Sequence, residues 1–430
     1  MIRIKAIIPI SFVLMIIALS CYNPQIAEVE QSPSYKYNFS SLYNPSETSI
    51  HPQVKVFVKS DTEATVFFKL STEEIKANLQ SQMDTSFKLV VKYALRDVAT
   101  FEIVDSGVNI FNINPRVDAR FIGSSFNINL IKGSQNKLIV GFTGPKAYSG
   151  SRMIFDIDNS SDFSNDRFIL EKKELNGYEL VFDNFVKSGR NYRISSNTFD
   201  KYSFNVSLYG FDDYIVIPPY YIADPEEVLP EPDSLFTYTV GDSISFDSIG
   251  YYVFRASSNS EGVFCLLNAG NTFPEIEILS DMYEPLKLVA TNRELNSIKE
   301  SDNLKVSIDN FWLGKSNNQK FAREQIRVFY TRVELANKYF SDYREGWKTD
   351  RGNLYVILGP PTIVNMSSSG EEWFYGENPD VAGVLFIFDK GKSITGHTIY
   401  RLRRDAMYQT IWGQALTTWR NGRIFTITKN

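Results

Sequence analysis

Alternation of apolar and polar positions dominates the chain from residue 54 to about 143. Val54, Val56 and Val58 point one way, and Phe67, Phe68 and Leu70, then Leu89, Val91, Tyr93 and Leu95, repeat the habit. Phe121, Phe126, Ile128 and Leu130, then Leu138, Val140 and Phe142, complete the series, with turns at Ser60-Asp61, Asp105-Ser106-Gly107 and Lys132-Gly133-Ser134. Short strands at about 8–12-residue spacing predict a β-sandwich of immunoglobulin-like size. A second stretch from Arg152 to Val240 repeats the pattern through Met153-Ile154-Phe155, Phe168-Ile169-Leu170, Tyr178 to Phe182 and Ser203 to Leu208. The Pro- and acid-rich segment from Pro218 to Asp233 reads either as a linker or as an excursion within this second module, since Phe236 to Val240 and Tyr251 to Phe254 have the pattern of further strands.

Helical periodicity takes over after Thr272-Phe273-Pro274. Phe321 to Phe340 places Ile326, Phe329, Tyr330, Val333, Ala336, Asn337 and Phe340 on one face, and Arg404 to Trp419 forms a second amphipathic stretch with Gly422 just beyond its end. Between them Leu354–Leu358, Glu372–Tyr375, Val384–Phe388 and Thr398–Leu402 read as strands. The organisation expected is therefore multidomain: signal segment 1–20, tether 21–49, β-sandwich modules over 50–145 and 146–273, and an α+β domain over 274–430. All five tryptophans fall in that last unit, so its core is expected to be tryptophan-rich.

The N-terminus assigns a compartment. Arg3 and Lys5 precede an apolar run from Ala6 to Leu19, too short for a spanning helix and typical of a secretory signal. Cys21 directly follows Ala18-Leu19-Ser20, an arrangement similar to a bacterial lipobox, which makes Cys21 the expected lipid-modified first residue of the mature chain. The acidic residues nearest this cysteine are Glu28 and Glu30, which favours a periplasm-facing anchor in the outer membrane over surface export. Cys265 then has no disulfide partner, and its apolar surroundings Val263-Phe264-Cys265-Leu266-Leu267 mark it as a core residue. A net charge of −5 lacks the basic face that nucleic acid requires.

The signature of the last unit is Gly346-Trp347-Lys348-Thr349-Asp350-Arg351-Gly352, followed by Leu354 to Leu358 and the stop Gly359-Pro360-Pro361. With Phe329 to Val333 upstream and Trp373-Phe374-Tyr375, Phe386 to Asp389 and Trp412 to Gly422 downstream, it resembles the GWxTD-domain proteins of Bacteroidota-type envelopes. The resemblance implies an envelope protein and carries no reaction with it. Two readings of the corner follow. In the structural one, Gly346 takes a left-handed helix cap, Trp347 plugs the core, and Thr349 and Asp350 bond nearby amides. In the recognition one, Asp350, Arg351 and Arg332 converge with Trp347 at one end of the sheet, beside a flat platform of Trp373 and Tyr375.

Catalysis finds little footing. The only histidines are His51 and His397, Gly314-Lys315-Ser316 and Gly391-Lys392-Ser393 lack the upstream glycine of a phosphate loop, and Asp342, Glu345 and Asp350 are the sole acidic grouping near the signature. The function expected is non-catalytic, without cofactor or metal: binding of protein partners within an envelope assembly, secretion or motility complex. The alternative is carbohydrate or peptidoglycan binding on Trp373 and Tyr375. If every tryptophan is buried, the signature is structural and the partner surface lies elsewhere, including on the β-modules.

Overall fold

A computed structural model describes residues 38–426 apart from 82–83, 117, 147–149, 212, 223–227, 258–259, 317 and 379–381. The signal segment, Cys21 and most of the expected tether lie outside the described residues.

The first unit comprises β1 (Gln53–Ser60), β2 (Glu63–Ser71), the short helix α1 (Thr72–Ala77), β3 (Phe87–Asp97), β4 (Ile103–Ile113), β5 (Phe121–Asn129), β6 (Gln135–Thr143) and β7 (Ser151–Asp158). Its strands form two antiparallel sheets, ordered β1-β2-β5 and β4-β3-β6-β7. The period-2 pattern explains their faces. Val58, Val66 and Phe68 of the first sheet and Leu89, Val91, Val140 and Phe142 of the second belong to one buried cluster, where Phe68 meets Phe142 edge-on at 5.4 Å.

The second unit contains β8 (Ile169–Glu174), β9 (Gly177–Leu180), β10 (Asn191–Ser195), β11 (Ser203–Tyr209), β12 (Ser234–Thr239), β13 (Ser243–Ser245), β14 (Gly250–Arg255) and β15 (Gly262–Asn268). Two more antiparallel sheets result, β13-β10-β8-β9 and β12-β11-β14-β15, again sharing one cluster; Phe254 stacks on Phe264 at 4.4 Å within it. Strands β11 and β12 pair directly, Ser207 with Leu235, so the Pro- and acid-rich segment between them is an excursion of this unit and not a linker. Cys265 is buried beside Tyr251, Val253 and Leu267, and burial pushes its thiol well above the ordinary range.

The third unit is mixed α+β. Helices α2 (Leu279–Tyr283), α3 (Asn292–Lys299), α4 (Leu304–Leu313), α5 (Gln319–Phe340) and α6 (Asp350–Leu358) precede a meander of β16 (Ile363–Met366), β17 (Gly370–Asn378), β18 (Ala382–Lys392) and β19 (Thr398–Leu402), and α7 (Gln409–Arg420) closes it. Helix α5 starts where the Asn318 side chain accepts from Lys320 N, and it buries the predicted stripe of Phe329, Tyr330, Val333, Ala336, Asn337 and Phe340. Packed against helices and sheet together, these residues form one core with Trp312, Trp347, Trp373, Trp412 and Trp419.

Two expectations are corrected here. Leu354–Leu358 is helix, not strand: Thr349 caps it by accepting from Gly352 N, Asp350 sits in its first turn, and Gly359 ends it at φ +90°. A run buried on every side carries no periodicity by which to tell strand from helix. The end of the expected tether is not a tether either. Phe39 and Tyr43 are fully packed into the core of the third unit, and Phe39 N donates to Val364 O at 2.8 Å.

Candidate functional site

The signature forms the bend between α5 and α6, and close approach of backbones explains both of its glycines. A Cβ on Gly346 would lie 1.9 Å from Ala336 O, and one on Gly352 would lie 1.8 Å from Gly346 O. Gly346 does not take the expected left-handed conformation; only the missing side chain matters there. Trp347 is buried in the notch so made, its backbone N donating to Asn337 Oδ1 at 3.3 Å and its indole N to Glu345 at 3.4 Å. Thr349 Oγ1 donates to Gly346 O at 2.7 Å while accepting from Gly352 N, which fixes turn and helix start together.

The outer side of this bend receives the excursion of the second unit. Tyr214 meets the Trp347 ring edge-on at 5.2 Å, and Asn353 Nδ2 donates to the Tyr214 hydroxyl at 2.7 Å. Burial pushes that hydroxyl up to about 12, so it stays protonated and able to hydrogen-bond. Lys348 pairs with Glu345 and stands 5.2 Å from the Phe211 ring. Asp350 pairs with Arg404, whose other guanidinium nitrogen donates to Pro218 O at 2.8 Å and Ile217 O at 3.2 Å. Asp350 also accepts from Leu402 N at 2.9 Å, tying α6 to the end of β19.

The remaining predicted residues face inward. Arg351 reaches Glu371 at 2.8 Å and lies flat over Tyr400 at 3.8 Å; Tyr43 and the Trp373 indole N also donate to Glu371, at 3.0 and 2.8 Å. Arg332 donates to Val356 O, Ile357 O and Phe425 O, capping the C-terminal end of α6, and burial draws its guanidinium down to about 10. Tyr375 is buried and donates to Gly359 O at 2.9 Å. Arg332, Asp350 and Arg351 therefore do not converge on one surface, and Trp373 and Tyr375, both buried, offer no platform. All five tryptophans are buried, the arrangement expected when the signature is structural.

The acidic grouping is also fully engaged: Asp342 holds Arg344 at 2.7 Å, Glu345 holds Lys348, and Asp350 holds Arg404. His51 lies between Glu74 and Pro45 O, at 2.8 and 2.9 Å. Among the described residues no group of three or more His, Cys, Asp or Glu is placed to hold a metal ion.

Sequence reasoning missed Arg404, Glu371, Tyr214 and Tyr43. The run Arg401 to Asp405 carried a signal, because three arginines beside a lone apolar residue at a strand end need carboxylate or carbonyl partners. It also missed a cleft of about 450 Å³ where the signature meets the excursion, walled by Lys348, Asp350 and Arg404 on one side and by Ile215, Val228 and Leu229 on the other.

One family profile covers the third unit. Residues 250–421 match the profile of the GWxTD domain, and the chain contains that domain. The match begins in β14, so it takes in the last hairpin of the second unit. No curated protein matches. Among solved structures, one from Bacteroides fragilis described as a candidate beta-galactosidase is similar at 7% identity and a TM-score of 0.17, over 35% of this chain. The match spans only 19% of that protein, and likeness this slight supports no argument about fold or function.

Proposed function

We propose that the chain is a non-catalytic, lipid-anchored protein of the outer membrane, facing the periplasm, that binds a protein partner in an envelope assembly. In this reading the two β-units are sandwich modules, a description supported by the single buried cluster each pair of sheets shares. The GWxTD bend serves as the internal joint that fixes the third unit against the excursion.

One observation carries the partner-binding reading. Ile215 and Val228, which line the cleft beside the signature, are 77% and 75% exposed. Tyr221 and Ile222 on the same excursion are 58% and 76% exposed, and the cleft wall carries the half-buried Arg344, with Lys348 and Arg404 largely buried in it. Apolar side chains held out on a braced loop with a polar border are the anatomy of an interface. The sugar-binding alternative placed its stacking surface on Trp373 and Tyr375, whose burial removes the reason to favour it.

The test is affinity purification of the tagged chain from gently solubilised membranes, in wild type and in Ile215→Asp and Val228→Asp. A reproducible partner set lost in both variants, with the protein folded and abundant, supports the reading. An unchanged partner set, or no partner alongside retention on peptidoglycan, overturns it.

A further inference from the structure

Away from the signature, the three units border two adjoining open clefts of about 280 and 510 Å³ that share Phe155, Phe182, Asp183, Asn184 and Lys338 in their walls. Val54 and Lys55 come from β1, Asp166 and Asp183 from the second unit, and Lys338 from α5, so the space exists only when all three units are assembled.

Most charges around it are internally matched. Asp156 is held by Lys137 and Lys390, Asp342 by Arg344, and Glu371 by Arg351. Four groups are not matched in this way. Lys55 reaches only the Asn184 side-chain oxygen, at 3.3 Å, and neither it nor Lys338 has a carboxylate within ion-pair distance among the described residues. Asp166 accepts a single bond, from Asp158 N at 3.1 Å. Asp183 accepts none among the described residues.

Burial acts on three of the four against their charged forms. It pushes Asp166 up to about 6, raises Asp183, and lowers Lys55. Lys338 is itself exposed, and Asp183 also feels the charge of Lys69. Lys55, Asp166 and Asp183 are nonetheless partly desolvated without an ion pair, which costs stability, and a molecule supplying the opposite charges recovers that loss on binding. The unmatched set contains two cations and two anions, so a ligand with one sign of charge would satisfy half of it and repel the other half. A neutral sugar would hydrogen-bond to both signs but neutralise neither. The walls between the charges are the rings of Phe155, Phe182 and Phe185.

The geometry points to a binding site for a small zwitterion of amino-acid or short-peptide size, its ammonium group on Asp183 and Asp166 and its carboxylate on Lys55 and Lys338. The site does not depend on the partner surface at Ile215 and Val228, and either can stand without the other. Because its walls come from all three units, occupancy also strengthens their assembly.

The test uses the purified full chain and two probes of matched size: the dipeptide Ala-Ala, and its N-acetylated, C-amidated form, which carries no charge. Calorimetric titration and thermal melting are run on wild type, Asp183→Asn and Lys55→Gln. The expected result is that Ala-Ala binds and raises the melting temperature, that the capped form does not, and that each substitution weakens Ala-Ala binding at least tenfold. Without ligand, Asp183→Asn melts at or above the wild-type temperature, because it removes an unpartnered charge; a purely structural residue would melt lower. Equal binding of both probes, equal affinity in wild type and both variants, or no binding of Ala-Ala overturns the proposal, as does N-acetylglucosamine binding in preference to Ala-Ala.

Discussion

Asp350 and Arg404 form an ion pair across 54 residues of sequence, and Arg404 spends its other nitrogen on the backbone carbonyls of Ile217 and Pro218. A single side chain thus joins the signature, the end of the meander and the excursion of the second unit. The aspartate of the motif reads in this light as an orienting group: it holds the guanidinium where the excursion's carbonyls need a donor.

Removing that carboxylate leaves Arg404 largely buried with carbonyls alone, and frees Leu402 N. Asp350→Ala is expected to cost about 2–4 kcal/mol of stability. The excursion near Ile215 should also become sensitive to limited proteolysis before the rest of the chain. Denaturant unfolding with a cycle through Arg404→Ala measures the coupling; additive effects of the two substitutions would show that the pair does not join these elements.

The glycines of the signature make a sharper contrast. Gly346→Ala drives a methyl group into the Ala336 carbonyl, and no flexible side chain is there to yield. A loss above about 3 kcal/mol, or failure to fold, is expected. Gly413→Ala, on an exposed position of α7 with nothing within 4 Å of the new Cβ, should instead stabilise by about 0.5–1 kcal/mol. Chemical denaturation of both variants decides; a tolerated Gly346→Ala would remove close packing as the reason for that glycine.

How much of this was legible depends on periodicity. Helix α5 and the strand Gln135–Thr143 were readable because their apolar residues recur at 3.6 and, through Leu138, Val140 and Phe142, at 2. Leu354 to Leu358 was not, since burial on all sides erases the period and leaves only Thr349 and Gly359 as markers. Phe39 and Tyr43 were hidden by the Ser, Asn and Pro around them, a composition that reads as linker although two rings are enough to dock it. The partners of Arg404, Arg351 and Asp350 lie far away in sequence, and a pattern reading has no access to such pairings.

The docked segment gives a third prediction. The Tyr43 ring packs against Phe340 at 4.9 Å and Trp373 at 5.2 Å, and its hydroxyl donates to buried Glu371. Tyr43→Ala should cost about 3–5 kcal/mol through the cavity it leaves. Tyr43→Phe should cost only about 1 kcal/mol, because Arg351 and the Trp373 indole still satisfy the carboxylate. Thermal unfolding distinguishes the two. If Tyr43→Ala melts as wild type does, residues 38–49 behave as a tether after all.

Two buried groups should give the stability profile opposite slopes in acid. Asp166 titrates at about 6 in the folded state, above the ordinary 3.8, because burial disfavours its charge. The folded state therefore holds this proton more tightly than the unfolded chain. Its contribution is fully present below about pH 4 and is lost as the pH rises toward 6. His397 behaves in the reverse sense. Burial lowers it from 6.5 to about 4, so its contribution is present above about 6.5 and is lost as the pH falls toward 4. Asp166→Asn should accordingly raise stability at pH 7, by on the order of 2 kcal/mol, and change little at pH 4. His397→Gln should flatten the decline between pH 6.5 and 4 while costing some packing at neutral pH. Urea unfolding at half-unit steps from pH 4 to 7.5 resolves both. Parallel profiles for wild type and Asp166→Asn would mean that Asp166 is solvated, and the cleft at the junction would then lose one of its two unmatched acids.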